Sequence, residues 1–578
     1  MAKKTKTTNG NGKKLNGQQS VNSAIKSICD IMRRSNCAGA MQYVPELTWI
    51  LFLRILDEKE FIEEQEAKAV KSRFKPSFEA PYRWRDWASP DGAKRKELQE
   101  GKLGDFFRFV NAELLPYLKG LENKPNATPR QKVISEILSG VEKVRVDTER
   151  NFCDVLDKVN EITAEGVDKT HVFPLSQVYE GLLLKMGEKG NDGGQFFTPR
   201  EVIRAMVKVI DPKVGDTIYD PGCGTGGFLA QSYEYIVGRS NEKIKSAVDL
   251  DTLKHKTFFG REKENLIYPI ALANLILHGI DQPNIWHGNT LTNAETYSGL
   301  FQNVPNAFDV ILTNPPFGGK EGADAQTRFD YKTGSTQVLF LQHIINSLAD
   351  GGRCGMVLDE GLLFRTNETA FVQTKRKLLN ECDLWCIVSL PGGVFTAAGA
   401  GVKTDLLFFT KGKKTKKIWY YDLSHLKIRK KIPLATEHFE EFFKLLPKRE
   451  DSKYSWTIDI VKLSKEAKEK AEPLKKKAHE LQQQAAQWKE KIQALKKDKF
   501  APRTDIEEAE QQFKNLTKEA RELAAKAEEI ENAVYDLKAV NPNIAPPPPP
   551  PPPAELLKII SAKGQEVNAA LKELEKIV

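Results

Sequence analysis

The sequence predicts a multidomain protein in which an all-α N-terminal domain is followed by an α/β domain with a mostly parallel sheet and then by an α-helical hairpin. Apolar residues follow helical spacing from Val21 to about Lys169. Short apolar runs then alternate with helical segments from His171 to beyond Tyr421, and two heptad repeats come after them. A chain of 578 residues is too long for one compact core.

The N-terminal region carries no recognisable catalytic cluster. Residues 1–19 form a basic tail without an apolar core, so we expect disorder there and no secretory signal. Residues 20–170 are expected to form the helical domain, with Ile25, Ile28 and Ile31 on one apolar face. The chemistry is therefore expected downstream.

The α/β domain is expected over residues 171–455. Helical segments separate its apolar runs, which indicates parallel strands covered on both faces. Ligands of such sheets bind beyond the carboxyl ends of the strands. The predicted strands are Thr217 to Tyr219, Val310 to Leu312, Gly355 to Leu358, Leu384 to Ser389 and, as the last of them, Leu406 to Phe409.

The last part of the chain is helical in pattern. Heptad seams run from Leu474 to Leu495 and from Ile506 to Leu537, which predicts an antiparallel coiled-coil hairpin over residues 456–541. The seams can pack on each other or dock another subunit; we expect self-packing to bury more surface and the flanks to stay available. Residues 542–578 hold eight consecutive prolines, a stiff polyproline II spacer, and then an amphipathic tail helix.

Composition limits the function classes. The net charge of +9 permits nucleic-acid binding but is equally typical of a solubilising surface. Seven cysteines without a CxxC pair or zinc spacing indicate free thiols in a reducing cytoplasm and no metal site. No run approaches the roughly 20 apolar residues of a membrane span, so a cytoplasmic protein is expected.

A glycine-rich segment follows the first predicted strand and opens a helix, which suits close approach of a ligand to the backbone. It also satisfies the dinucleotide pattern GxGxxG, and a purely structural turn remains an alternative. Glu262 follows the run Phe258 to Gly260, where an acidic residue would hold a ribose. The candidate ligand-binding residues of the segment are Asp220, Gly222, Gly224, Thr225, Gly226 and Gly227.

The most specific element is Asn314-Pro315-Pro316-Phe317, which follows the buried run Phe308 to Thr313. Two prolines fix an extended backbone and remove two N–H donors. The Asn314 side-chain oxygen and the Pro315 carbonyl remain as acceptors next to an aromatic ring. This combination suits the exocyclic amine of a flat base. A proline-rich turn would explain the prolines but neither the asparagine nor the phenylalanine.

A third element lies upstream of the glycine-rich segment. Thr198 can cap a helix with Pro199 at its first position, and such a cap alone is common. The occurrence of this element shortly before the glycine-rich segment is uncommon. The residues of this element are Gln195, Phe196, Phe197, Thr198, Pro199 and Arg200.

With these motifs in this order, the sequence resembles the modification subunit of type I restriction–modification systems, within the adenine-N6 DNA methyltransferases. The resemblance covers about Ser20 to Val540 and is strongest from Val178 to Lys411. Further family matches are Gly288 to Leu291, Asn274 with His278 and Gly279, and Asp536 to Pro542.

The resemblance implies a Rossmann-like class I methyltransferase domain and S-adenosylmethionine as cofactor, without a metal. The cofactor would lie across Gln195 to Arg200, Asp220 to Gly227 and Glu262. Asn289 would hold the cofactor's adenine, although related enzymes often have Asp there. The base would be an adenine flipped out of the duplex onto Asn314, Pro315, Pro316 and Phe317.

The expected partners are double-stranded DNA and a separate specificity subunit, because no segment of the size of a recognition domain is left unassigned. The resemblance adds a second copy of this chain around that subunit and a restriction subunit in the full complex. Four alternatives remain open at this point: a Rossmann dehydrogenase, a non-enzymatic scaffold, a protein or RNA methyltransferase, and a single-chain restriction enzyme. Against the last, the sequence has neither a nuclease cluster nor a GxxxxGK[ST] loop.

Overall fold

The computed structural model describes ten stretches of the chain. The predicted basic tail up to residue 17, the segment Gln195 to Phe197, the predicted domain boundary at residue 170 and prolines 546–551 lie outside them. The described residues are 18–35, 40–162, 198–238, 243–292, 304–395, 402–428, 432–497, 502–538, 540–543 and 552–575.

Residues 18–162 form helices and, within their described part, no strand, as the apolar spacing predicts. The start of helix α7 is fixed by a capping box. The Thr128 hydroxyl accepts from the backbone N–H of Gln131, and the Gln131 side-chain oxygen accepts from the backbone N–H of Thr128. The helices are α1 (Gln18–Arg34), α2 (Ala40–Ala69), α3 (Trp84–Trp87), α4 (Ala93–Glu100), α5 (Asp105–Arg108), α6 (Leu115–Lys119), α7 (Pro129–Leu138) and α8 (Glu149–Asn160).

The strands form one sheet in the order β3-β2-β1-β4-β5-β7-β6-β8-β9. Neighbours from β3 to β5 are parallel, whereas β7 runs antiparallel between β5 and β6. Strand β1 has β2 on one side and β4 on the other, so the strand order reverses there and a crevice opens beyond its carboxyl end. The strands are β1 (Ile218–Asp220), β2 (Phe258–Glu262), β3 (Asn284–His287), β4 (Phe308–Thr313), β5 (Leu348–Asp359), β6 (Cys382–Ser389), β7 (Thr404–Lys411), β8 (Lys417–Asp422) and β9 (Ser455–Asp459).

Helices cover this sheet, and α12 also packs against α2 and α7 of the N-terminal region. One continuous hydrophobic core therefore joins the N-terminal helices to the sheet. The helices of this part are α9 (Arg200–Ile210), α10 (Gly227–Val237), α11 (Ala247–His255), α12 (Tyr268–Leu277), α13 (Ala323–Gln326), α14 (Thr336–Ser347), α15 (Glu360–Phe364), α16 (Thr369–Glu381) and α17 (Glu440–Leu445).

The predicted strands all occur, but the sheet is larger than predicted. Leu406 to Phe409 is not in the last strand, because β8 and β9 follow it. Strand β3 was also not predicted. The short β3 and the edge strand β9 offer little apolar periodicity, and lysines flank β8.

Two long helices follow β9, α18 (Ile460–Lys497) and α19 (Arg503–Asn532). They run antiparallel, with Lys475 paired to Glu531 and Lys496 to Glu510, each at 2.6 Å. Alanines such as Ala478 are buried, and so is Ile492, whereas most of the larger seam residues are only half-buried. The half-buried seam residues are Leu474, Leu481, Trp488, Leu495, Ile506, Phe513, Leu516, Leu523 and Ile530.

After α19 the chain returns to the sheet domain. Leu537 is fully buried, and its amide donates to the Leu363 carbonyl at 3.1 Å. A last helix, α20 (Pro553–Glu575), exposes apolar side chains, including Leu557 and Ile560. Within the described stretches, no helix has the length and apolar content needed to cross a membrane.

Candidate active site

The glycine-rich segment forms the turn between β1 and α10. Gly224 and Gly226 have φ values of +51° and +78°, a left-handed conformation that favours glycine. A side chain at Gly226 would also meet Leu275 at 3.3 Å. The Cys223 amide donates to the Arg261 carbonyl at 2.9 Å, which ties the turn to β2. The turn therefore lies at the point where the strand order reverses.

Asp220 ends β1 and joins it to β4. Its Oδ1 accepts from the Thr313 hydroxyl at 2.7 Å and from the Gly222 amide at 3.2 Å. Burial raises the pKa of this carboxyl to about 7, because these two hydrogen bonds only partly offset the lost hydration.

Glu262 ends β2, the strand next to β1. It is buried, and its Oε1 accepts from the Glu264 amide at 2.7 Å. Burial raises its pKa to about 7 as well. Within the described residues no ion pair neutralises Asp220 or Glu262, so both carboxyls can still bind a donor from a ligand.

Asn314 lies directly after β4. Its Nδ2 donates to the Thr198 hydroxyl at 2.9 Å, whereas its Oδ1 is buried and has no hydrogen-bond partner in the described part of the chain. Phe317 is half-buried and meets Phe395 edge to face, with ring centroids 5.3 Å apart at 81°. The motif thus presents an unused acceptor next to a braced aromatic ring.

Most predicted site residues line a single cavity of about 440 Å³. Pro199, Gly226 and Pro315 are not part of its lining, and Gln195 to Phe197 lie outside the described residues. The predicted residues that line it are Thr198, Arg200, Asp220, Gly222, Gly224, Thr225, Gly227, Glu262, Asn289, Asn314, Pro316 and Phe317.

Asn289 follows β3 and stands at the cavity wall. Its Oδ1 accepts from the Leu291 amide at 2.9 Å, an Asx turn that fixes the side chain. Arg328 holds the same turn from outside by donating to the Leu291 carbonyl at 2.6 Å.

Thr198 does not cap a helix. Pro199 is the residue before α9, and no side chain caps that end. The Thr198 hydroxyl binds Asn314 instead. Arg200, the first residue of α9, also lines the cavity; burial, together with the nearby charge of Arg204, lowers its pKa.

Two further residues shape the cavity, Asn274, which the sequence marks only as a family match without a role, and Phe340. Asn274, fully buried on α12, donates from Nδ2 to the Thr225 carbonyl at 2.9 Å and so holds the glycine turn. Phe340 on α14 lies about 3.8 Å from the position of a Cβ at Gly222. A lone asparagine in the otherwise apolar run of α12 was a usable signal for the first; the sequence offers none for the second.

The sheet order, the glycine turn after β1 and the acidic end of β2 are those of a Rossmann-like methyltransferase. The profile of the N-6 DNA methylase family matches residues 170–484, and that of the HsdM N-terminal domain matches residues 21–157. The chain belongs to the N-6 DNA methylase family, as a modification subunit of a type I restriction–modification system with adenine-specific DNA methyltransferase activity.

Known methylase subunits of type I restriction enzymes are similar in sequence to most of this chain. The methylase subunit of the type I restriction enzyme EcoEI from Escherichia coli is 38% identical over 408 residues, 70% of this chain and 77% of the relative. The StySJI methylase subunit from Salmonella typhimurium is 30% identical over 429 residues, 72% of this chain and 74% of the relative.

A solved structure also agrees. A chain from a structural study of the assembly of a type I restriction–modification system is 33% identical, with a TM-score of 0.61 over 97% of this chain and 99% of the other. The resemblance inferred from the motifs is therefore confirmed, and the dehydrogenase and scaffold alternatives are wrong.

Proposed function

We propose that this chain methylates the N6 amine of an adenine flipped out of double-stranded DNA, with S-adenosylmethionine as donor and at sites selected by a separate specificity subunit. The observation that carries the proposal is the unused Asn314 acceptor beside Phe317, in the same cavity as Asp220 and Glu262. An enzyme that binds an amine needs acceptors of this kind next to a surface for stacking.

The residues of the cavity fit the cofactor. Glu262 would accept from the ribose hydroxyls, and the turn from Asp220 to Gly227 lets a ligand approach the backbone closely. The cofactor would also lie across Gln195 to Arg200, and Asn289 would hold its adenine. When bound, S-adenosylmethionine supplies an electrophilic methyl group.

The target base would be held by the motif at the end of β4. Asn314 Oδ1 and the Pro315 carbonyl would accept the two amine hydrogens, which draws the nitrogen toward sp3 geometry and makes its lone pair available. The N–C bond would form as the bond between the methyl group and the donor's sulfur breaks, and the methylated nitrogen would lose one proton to solvent. Phe317 would stack on the base, and Pro316 keeps the backbone extended. Phe395 braces Phe317 from the side. The chain thus contributes alignment and electrostatics.

The decisive experiment replaces Asn314 with alanine in the complex with its specificity subunit. We expect N6-methyladenine, measured by mass spectrometry, to disappear, while calorimetry shows nearly unchanged binding of S-adenosylmethionine, since the lost contact acts on the base. The matched control is Asn380→Ala, which removes an exposed asparagine of α16. Full activity in Asn314→Ala would overturn the mechanism, and 4-methylcytosine as product would correct the substrate.

We further propose the division of labour along the chain. Residues 20–170 form the helical domain, residues 171–455 the methyltransferase domain, and residues 456–541 a coiled-coil hairpin that docks the specificity subunit. Residues 542–578 form the spacer and tail helix. Two copies of the chain would flank one specificity subunit, and a restriction subunit would join the full complex. The half-buried leucines of α18 support docking, because self-packing leaves part of their apolar surface uncovered.

Charge substitutions on the hairpin test this proposal. Leu481→Lys with Trp488→Lys places charges on half-buried seam positions. We expect loss of co-purification with the specificity subunit, with cofactor binding retained because the cavity is elsewhere. The control is Gln483→Lys, at an exposed position of the same helix. Sequence-specific methylation by the purified chain alone would contradict the two-component proposal.

A further inference from the structure

The hydrogen bond between Thr198 and Asn314 joins two motifs that lie 116 residues apart. Asn314 uses its donor end in this contact, from Nδ2 to the threonine hydroxyl at 2.9 Å. Its acceptor end, Oδ1, has no partner within the described stretches. A buried amide oxygen without a hydrogen-bond donor reduces the stability of the free protein. The contact that keeps the amide in this orientation also leaves the oxygen available for a donor from a ligand.

We propose that Thr198 is a positioning residue for Asn314, which fixes the amide so that its oxygen, and not its nitrogen, faces the target amine. The inference rests on the proposed function. An amide has two acceptor lone pairs at one end and two N–H donors at the other, whereas the amine of a flipped base offers donors. If the Asn314 amide were rotated by 180°, its Nδ2 hydrogens would face the hydrogens of the base amine, and no hydrogen bond could form.

A hydroxyl has one proton to donate and two lone pairs that accept, so in its contact with Asn314 it could take either role. Thr198 therefore selects one orientation of the amide only when its own proton is donated elsewhere. Thr198 lines the cavity proposed to hold the cofactor, whose amino-acid end carries a carboxylate. Once the proton of Thr198 is donated to such an acceptor, its oxygen can only accept, and Asn314 must present Nδ2 to it. Cofactor occupancy and amine recognition are then coupled through one hydroxyl, and the coupling is reciprocal.

The role is not that of a helix cap. No side chain caps α9, and Pro199 stands between Thr198 and the helix. Removing the hydroxyl therefore leaves the local secondary structure its own hydrogen bonds. Thr198→Val keeps the shape without the hydroxyl, and Thr198→Ser keeps the hydroxyl without the methyl group.

The test measures recognition of the amine itself, in the complex with the specificity subunit. Affinity is measured for two duplexes, one with adenine and one with unsubstituted purine at the target position, both with and without S-adenosylhomocysteine. The ratio of the two dissociation constants, compared between variants, isolates the contact to the amine, because differences in base pairing are common to all variants.

We expect Thr198→Val to reduce the preference for adenine about tenfold, the equivalent of one hydrogen bond, and to reduce kcat for methyl transfer. Thr198→Ser should restore both. In wild type, S-adenosylhomocysteine should increase the preference, and Thr198→Val should remove this increase. In an Asn314→Ala background, Thr198→Val should change the ratio no further.

A threonine that matters only for packing would weaken binding of both duplexes equally; an unchanged ratio in Thr198→Val would overturn the inference while leaving the proposed function intact. If instead wild type and Asn314→Ala show the same ratio, or wild type forms no N6-methyladenine, the proposed function itself is wrong.

Discussion

Two of the places that bury carboxylates in the described part of the chain differ in how these carboxylates are paired. Where α2 and α7 meet the end of α12, every buried acid has a cationic neighbour. In the cavity at the ends of β1 and β2, Asp220 and Glu262 are more deeply buried than Glu63 and Asp281, yet no ion pair neutralises either of them in the described part of the chain.

The first place is an ion cluster centred on Arg130. Its guanidinium binds Glu63 through two hydrogen bonds, at 2.7 and 3.0 Å, and Asp281 at 2.7 Å. Burial alone would raise the pKa of Asp281, but the charges of Arg130, Lys59 and Lys254 outweigh it and bring the pKa to about 2. Lys59 Nζ also donates to the Ile276 carbonyl at the end of α12, at 2.6 Å.

The ion cluster at Arg130 stabilises the fold, whereas we propose that the carboxyls of the cavity serve ligand binding. Arg130 satisfies acids from two regions of the chain, so the cluster fixes the N-terminal helices to α12, and α12 carries Asn274, which holds the glycine turn. The unpaired carboxyls of the cavity instead cost stability in the free protein. A ligand that donates hydrogen bonds offsets that cost, which is typical of a binding site.

The largest expected effect comes from breaking the saturated cluster. Arg130→Met removes both guanidinium hydrogen bonds of the part-buried Glu63 and leaves Asp281 with only Lys59 and Lys254 as cationic neighbours. Loss of this central cation should reduce the free energy of unfolding by ~3 kcal/mol, the lower end of the range for a broken buried ion pair. Urea unfolding followed by circular dichroism measures it. The control is Lys254→Met, which removes a cation 3.3 Å from the same Asp281 but on a more exposed side chain; we expect less than ~1 kcal/mol there. Equal losses in both variants would contradict the contrast.

The next effect should have the opposite sign on stability. Glu262→Gln removes a buried charge that has no cationic partner, so the free energy of unfolding at neutral pH should stay constant or rise. Binding of S-adenosylmethionine should weaken by ~1.5–3 kcal/mol, the value of one hydrogen bond to a charged group. Calorimetry and urea unfolding on the same preparation separate the two quantities. Cofactor affinity equal to that of wild type would remove Glu262 from the site.

The sequence predicted those parts of the molecule that are encoded locally. Motifs at strand ends, such as Asp220 and Asn314, could be placed because each follows a short apolar run. Strand direction could not: β7 is buried on both faces and reads as a continuous apolar run, whether parallel or antiparallel. The heptads predicted the hairpin, but not that alanines would take the buried positions and leave leucines half-covered.

Contacts between residues far apart in the chain could not be predicted from the sequence. The bond from Thr313 to Asp220 spans 93 residues and that from Arg130 to Asp281 spans 151. The residues around one partner of such a bond give no indication of which residue is the other. For the same reason the local pattern predicts Thr198 as a helix cap, whereas the structure pairs it with Asn314. Its role as a cofactor contact stays a prediction.

The smallest expected effect is on the pH dependence of the cavity. Glu262 has a pKa of about 7 in the folded chain and an ordinary value of 4.5. Between these values the folded state keeps a proton that the unfolded state has lost, so the contribution of Glu262 to stability falls as pH rises through this window. Cofactor binding has the opposite sign, because the ionised carboxylate is the better acceptor for hydroxyl donors.

We therefore expect affinity for S-adenosylmethionine to rise from pH 5.5 to 7, by at most ~1.4 kcal/mol per pH unit for each titrating carboxyl, and to level off above that range. Asp220 shares the raised pKa of about 7, so Glu262→Gln should remove only part of the slope. Calorimetry on both proteins gives the difference, in which the titration of the ligand itself cancels. The same slope in both would mean that Glu262 does not ionise on binding, and the cavity carboxyls would then lose the role that distinguishes them from the cluster at Arg130.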